Sequence, residues 1–260
     1  MLMSDEEIRV AAAQKLADER RTLANNPETT PAEITPAIEV FSASLGGEPL
    51  RKVAVIDDPN GRYGWCSDGV RLKVAADGGA PVYGWTIWEW PPGLLTAEFH
   101  CVWKSPDGEL YDITPKPLRE PHIAFVADPS YAANFDFDRR PRNRRVRSYE
   151  PRPREPVLEA LRASLVGSKR VYEEGRAAKA GLSLDAWLAR KIPTDPLPEA
   201  IDAFIVLCAA FEEHFDALGS SGFVRPDAKF IALARQRATA QGRLRQLMLE
   251  ALRSNRASLE

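Results

Sequence analysis

The chain has 260 residues, with 35 basic and 37 acidic side chains and a formal charge of −2, so it is no general binder of polyanions. Hydrophobic residues make up 44%, enough for a sizeable core, and the length gives room for one or two domains. Cysteines at 66, 101 and 208, with no C-x-x-C pair, argue against a disulfide scaffold or a structural zinc. The opening Met-Leu-Met-Ser-Asp-Glu-Glu lacks the basic region and apolar core of a signal peptide. The longest uncharged apolar run, Ala203–Phe211, is far short of the roughly 20 residues of a spanning helix. A cytoplasmic protein with no membrane association is expected.

In chain order, Ser4 to about Asn25 reads as a helix. Ser4 and Glu7 form a capping box, Ile8, Ala12, Leu16 and Leu23 mark a thin apolar stripe, and Asn25-Asn26 is the stop. Residues 26–35, with Pro27 and Pro31, read as a linker. Lys52–Ile56 is a candidate strand, and Cys66–Asp77 a short helix ending at Gly78-Gly79. Pro81–Trp90, aromatic and β-branched on both faces, reads as a buried central strand. Ala97–Lys104 and Glu109–Thr114 flank the turn sequence Pro106-Asp107-Gly108 and read as a hairpin. His122–Ala127 is a further strand. Arg139–Arg154 carries eight arginines and Pro at 141, 151 and 153, so it is expected to be a solvated boundary. Beyond it the apolar period is helical over Pro156–Ala178, Ser183–Ile192, Glu199–Leu218 and Pro226 to about Ser254.

Cys66 opens its helix behind Gly64-Trp65, and a helix N-terminus favours the thiolate, the form that attacks carbonyls. A small buried hydrophobe is the competing reading. With a three-residue hairpin loop, opposed residue numbers sum to 214. His100 and Asp112 then share one face of adjacent strands as diagonal neighbours, roughly 7–8 Å apart at the backbone. Cys101 and Trp103 point the other way. A Cys activated by a His that an Asp orients follows the logic of an activated nucleophile. The alternative for Asp112 is an Asx turn before Thr114-Pro115, with His100 a satisfied core histidine. His122 and His214 read as structural or exposed, Cys208 as part of a helix stripe, and Trp85, Trp88 and Trp90 as core. A zinc site from Cys66, His100 and Asp112 would be an uncommon ligand set. Phosphate-loop and dinucleotide fingerprints are missing, so neither metal nor cofactor is expected.

The order Cys66, His100, Asp112, closing on Tyr111-Asp112-Ile113-Thr114-Pro115, resembles the transglutaminase-like branch of the papain-like cysteine enzymes over roughly residues 50–130. That family's His-x-Trp is one residue longer here, His100-Cys101-Val102-Trp103. Arylamine acetyltransferases share the order, but Arg62-Tyr63-Gly64-Trp65-Cys66 lacks their Arg-Gly-Gly-x-Cys. The resemblance implies an α+β fold in which an antiparallel sheet packs on the Cys-bearing helix, plus a helical C-terminal region. It also implies a thiol-dependent amide hydrolase or acyltransferase, with Cys66 as nucleophile, His100 as proton shuttle and Asp112 fixing the imidazole. The Cys66 N–H is one expected oxyanion donor, with the Trp65 or Tyr63 side chain the other. The organisation expected is a helix and linker over 1–30, the α+β domain over 31–135, an Arg/Pro linker over 136–155 and a helical domain over 156–260. The expected substrate is a peptide or protein amide, and the helical part is a surface for a protein partner. The alternative is a non-catalytic adaptor using the arginines to contact an acidic protein; nucleic acid is the less expected target, since only Tyr149 interleaves the tract.

Overall fold

Five strands close on one another in the computed structural model, which describes residues 3–22, 28–151, 153–218 and 225–256. They are β1 (Arg51–Val55), β2 (Ala80–Trp90), β3 (Leu94–Lys104), β4 (Leu110–Asp112) and β5 (His122–Ala127). The circuit runs β2-β5-β1-β4-β3 and back to β2. Val53, Val82, Val102, Leu110 and Phe125, one from each strand, pack in its lumen. The lumen is filled by these side chains, four aliphatic and one aromatic, as a barrel of this size requires.

The chain is α+β, but the expected antiparallel sheet is mixed. β1 runs parallel to β4, pairing Ala54 with Tyr111 and Val55 with Asp112. Parallel neighbours need a long crossover, and residues 56–109 supply it through a helix and the β2–β3 hairpin. That helix, α3 (Cys66–Asp77), has the bounds its sequence predicts. Gly79 follows it at φ +83, and a Cβ there would stand 2.1 Å from the Lys104 carbonyl oxygen, so only glycine makes the turn into β2.

Outside the barrel, Phe99, Cys101 and Trp103 of β3 meet Cys66 and Val70 of α3 in the main core. Ile38 and Phe41 join them from α2 (Pro36–Ser44), a helix inside the stretch left between linker and first strand. Thr35 accepts from the Ile38 N–H as its N-cap, and Pro36 sits at the first turn, where it lacks no needed donor. The first helix, α1 (Asp5–Thr22), keeps its capping box: the Ser4 N–H donates to Glu7 at 2.7 Å. The expected stop at Asn25-Asn26, with Leu23, lies outside the described residues.

Part of the arginine tract joins the sheet, where a solvated linker was expected. Arg144–Arg147 form β6, which pairs antiparallel with Leu94–Ala97 of β3. The helices that follow are α4 (Arg154–Ala163), α5 (Gly167–Lys179), α6 (Leu184–Ala189), α7 (Leu197–Ala217) and α8 (Ala228–Arg256). The segment read as one helix over 156–178 is therefore two, broken at Ser164–Val166. Arg145 donates to Glu212 at 2.7 Å and Arg147 to Asp202 at 3.0 Å, while Arg142 pairs with Asp216, all three carboxylates on α7. These charges are ordered by partners rather than by apolar burial, which composition alone does not reveal. Trp90 and Leu94, at the far end of the β2–β3 hairpin, are buried against Ile201, Phe204, Leu244 and Met248 of α7 and α8. Each such large side chain contributes roughly 1.5–3 kcal/mol on burial, so the helical part is anchored to the sheet. None of the described helices is long and apolar enough to cross a membrane.

Candidate functional site

The three-residue turn sets the site. Ser105 N–H donates to the Glu109 carbonyl at 2.8 Å, and Trp103 pairs with Tyr111, giving the register sum of 214. Alternation along β3 then sorts its side chains. Leu94 faces α7 and α8, and Val102 faces the lumen; Glu98 and His100, between them on the same side, border a cleft of about 1070 Å³. The cleft runs from the barrel mouth to Phe211 and Arg237 in the helical layer.

His100 and Asp112 meet as expected: His100 Nε2 lies 3.0 Å from Asp112 Oδ2, and both are buried. A carboxylate only accepts, so Nε2 carries a proton and Nδ1 is the ring nitrogen turned away from Asp112. No hydrogen bond to Nδ1 is present among the described residues. Asp112 makes both contacts at once, because its Oδ1 accepts the Thr114 N–H at 2.8 Å in an Asx turn. A third partner was not foreseen. Lys116 Nζ is buried 2.6 Å from Asp112 Oδ2 and lies 5.6 Å from the Trp88 ring centre. Lys116 falls in the Thr-Pro-Lys-Pro turn, four residues after Asp112, a spacing that in a turn gives no sign of the contact.

The charges reinforce one another. Burial alone would raise the Asp112 carboxyl, yet Lys116 and then His100 hold it well below the usual carboxylate range. For His100, burial disfavours the imidazolium, but the Asp112 carboxylate and then a Cys66 thiolate outweigh it, and its pKa is pushed up to about 10. Lys116 opposes that rise.

Cys66 reaches the cleft from the other side of β3. The loop before α3 is tied to the helix by Lys73 Nζ, 2.7 Å from Asp58. Lys73 also lies over Trp103, whose Nε1 donates to the Gly78 carbonyl at 3.0 Å. The Trp of His-x-x-Trp thus holds the C-terminal half of the helix that carries the thiol. Cys66 packs with the main core, and its side chain borders the same cleft as His100. Among the described residues no hydrogen bond joins the two. The first N–H groups of α3 have no acceptor within the helix and turn toward this end. Tyr63 and Trp65, expected near the oxyanion, both border the cleft beside Cys66, and Lys15 Nζ of α1 lies 5.7 and 5.5 Å from their ring centres.

Cys101 and Cys208 are buried in core clusters, and burial pushes both thiols up. Trp85 and Trp90 are core as expected, whereas Trp88 borders the cleft and donates to Glu98 at 3.1 Å. His214 pairs with Asp227 at 2.8 Å, away from this site. The described residues contain no group of three His, Cys, Asp or Glu side chains placed to hold a metal ion. A scan against protein-family models finds no match, and searches of curated proteins and of solved structures return no similar chain.

Proposed function

We propose that the protein is a thiol-dependent amide hydrolase or acyltransferase of papain-like, transglutaminase-like type. The observation that carries this reading is the buried His100–Asp112 pair at 3.0 Å, with His100 Nδ1 left without a partner and His100 bordering one cleft with Cys66 at a helix N-terminus. The Cys66 thiolate attacks the substrate carbonyl and a C–S bond forms. His100 passes its Nδ1 proton to the departing amine as the C–N bond breaks, and a thioacyl intermediate remains. Acylation removes the thiolate charge, one of the two that hold the His100 proton. The imidazole is then the more ready to deprotonate water or an incoming amine, which releases the acyl group. The Cys66 N–H and the neighbouring Trp65 or Tyr63 side chain are the donors suited to the oxyanion. Peptide or protein amides are the proposed substrates.

The missing Cys66–His100 hydrogen bond favours a second reading, a binding protein with a degenerate site. Catalytic hydrogen bonds are often long before substrate binds, so the gap alone does not decide. The arginine route for such an adaptor is weakened, since Arg142, Arg145 and Arg147 are already paired with α7 carboxylates. p-Nitrophenyl acetate followed by peptide mass mapping separates the two. The enzyme reading expects an acetyl group on Cys66 and a burst of nitrophenol that Cys66→Ala abolishes. Acylation no faster than in the urea-unfolded chain overturns it.

A further inference from the structure

We infer that the cleft holds a subsite for a basic side chain, so that the amide substrate carries a guanidinium or ammonium group next to the reacting carbonyl. The inference rests on the enzyme reading for the word substrate, but the cation subsite itself stands on its own observations. Glu98 lies two residues before His100 on the same face of β3, about 7 Å along the strand. Its carboxylate borders the cleft, receives the Trp88 indole N–H and is exposed. Glu120 borders the same cleft and is more than nine-tenths buried, and its Oε2 has no hydrogen-bond partner among the described residues. Thr114 Oγ1, buried beside Asp112 and bordering the cleft, is equally unpartnered. Buried polar atoms in native proteins are ordinarily paired, so two orphan acceptors at one wall point to a donor that arrives with a ligand.

One cation of the protein already stands in this cleft. Lys15 Nζ already rests over the Tyr63 and Trp65 rings beside Cys66, an arrangement that draws cations to aromatic faces. Tyr63 is ringed by negative charge: burial first, and then Glu19, Glu98, Glu120 and Glu28, push its hydroxyl above the ordinary value. Lys116 does not neutralise this wall, because its ammonium is committed to Asp112 at 2.6 Å. The same field separates a recognised cation from an attacking amine. An acceptor amine must lose its proton to react, and surrounding carboxylates hold that proton on. The wall therefore suits a basic group that is bound and left unchanged.

The test uses the Cys66→Ala protein, so that binding is read without turnover. Nα-acetyl-arginine amide and its neutral isostere Nα-acetyl-citrulline amide are titrated by calorimetry. The arginine compound should bind at least about tenfold more tightly, as expected when a cation meets a complementary carboxylate. Glu98→Gln keeps the acceptor for Trp88 and should remove most of that preference, while Lys15→Met should tighten arginine binding by removing a like charge from the same cleft. Equal binding of the two amides, or a preference unchanged in Glu98→Gln protein that retains its native circular dichroism, overturns the inference. An arginine preference without any acylation of Cys66 in the native protein would remove the enzyme reading and keep the subsite. Acylation without a charge preference would do the reverse.

Discussion

The two halves of the site are held in different ways. Asp112 is fixed by three partners, the His100 ring, the Lys116 ammonium and the Thr114 N–H, all in a buried corner at the end of β4. Cys66 is held only through its helix: α3 has no side-chain N-cap, and its position depends on Lys73 and Trp103 further along. One half is determined by charge in low dielectric, where removing a partner is costly; the other is determined by packing, where a thiol can turn without breaking anything. The carboxylate–imidazole pair should therefore behave as part of the structure and the thiol as an independent working group.

The largest effect is expected at Asp112. Replacing it with Ala strands Lys116 and His100 as buried cations, and breaking a buried pair from one side costs about 3–5 kcal/mol. Urea unfolding should show that loss, whereas Cys66→Ala should stay within about 1 kcal/mol of the native protein while losing all acylation. Equal stability losses in the two variants would erase the contrast.

The pH response sharpens it. A His100 raised to about 10 contributes stability that is complete below its unfolded value near 6.5 and is lost as pH rises through about 10. The gap in unfolding free energy between native and His100→Gln protein should thus be widest near pH 6 and close above pH 10. Asp112 has the opposite sign: its contribution is present above its unfolded value and fades only in strong acid. A gap that widens in alkali would contradict the assignment of a protonated imidazole.

Lys116→Met offers a subtler probe. Lys116 lowers His100, so its removal should move the His100 titration upward in NMR spectra, with a stability loss smaller than that of Asp112→Ala. A downward move would mean that the ammonium does not act on the imidazole. The smallest effect belongs to the arginines. Arg145 and Glu212 are nearly buried, and Arg145→Met should cost measurable stability; the exposed Arg142–Asp216 pair should be replaceable with no change in melting.

Local features were legible in the sequence. The bounds of α3 follow from Cys66 to Gly78-Gly79, and the Pro106-Asp107-Gly108 turn is short enough to set which residues oppose, which places His100 beside Asp112. The separation of Cys101 and Trp103 from His100 follows from alternation alone. What escaped was non-local or masked by a stronger signal. The parallel pairing of β1 with β4 joins segments more than fifty residues apart, and no short pattern records it. α2 carries a Thr cap and an N-terminal Pro, but the density of prolines before it reads as linker. Glu98 was within reach, two residues from His100 on one face. β6 was hidden by arginines, whose partners lie on a helix more than fifty residues later.

Closing the barrel has a consequence for solubility. A strand edge is a template for pairing with another chain, and a circuit from β2 round to β3 leaves none within the ring. β6 extends the sheet beyond it and would expose such an edge. It is only four residues long, Arg144-Arg145-Val146-Arg147, three of them positively charged. A second molecule approaching there meets bulky guanidinium groups already tied to α7 and a ladder too short to zip. The tract that fastens the helices to the sheet also guards the molecule against edge-to-edge aggregation.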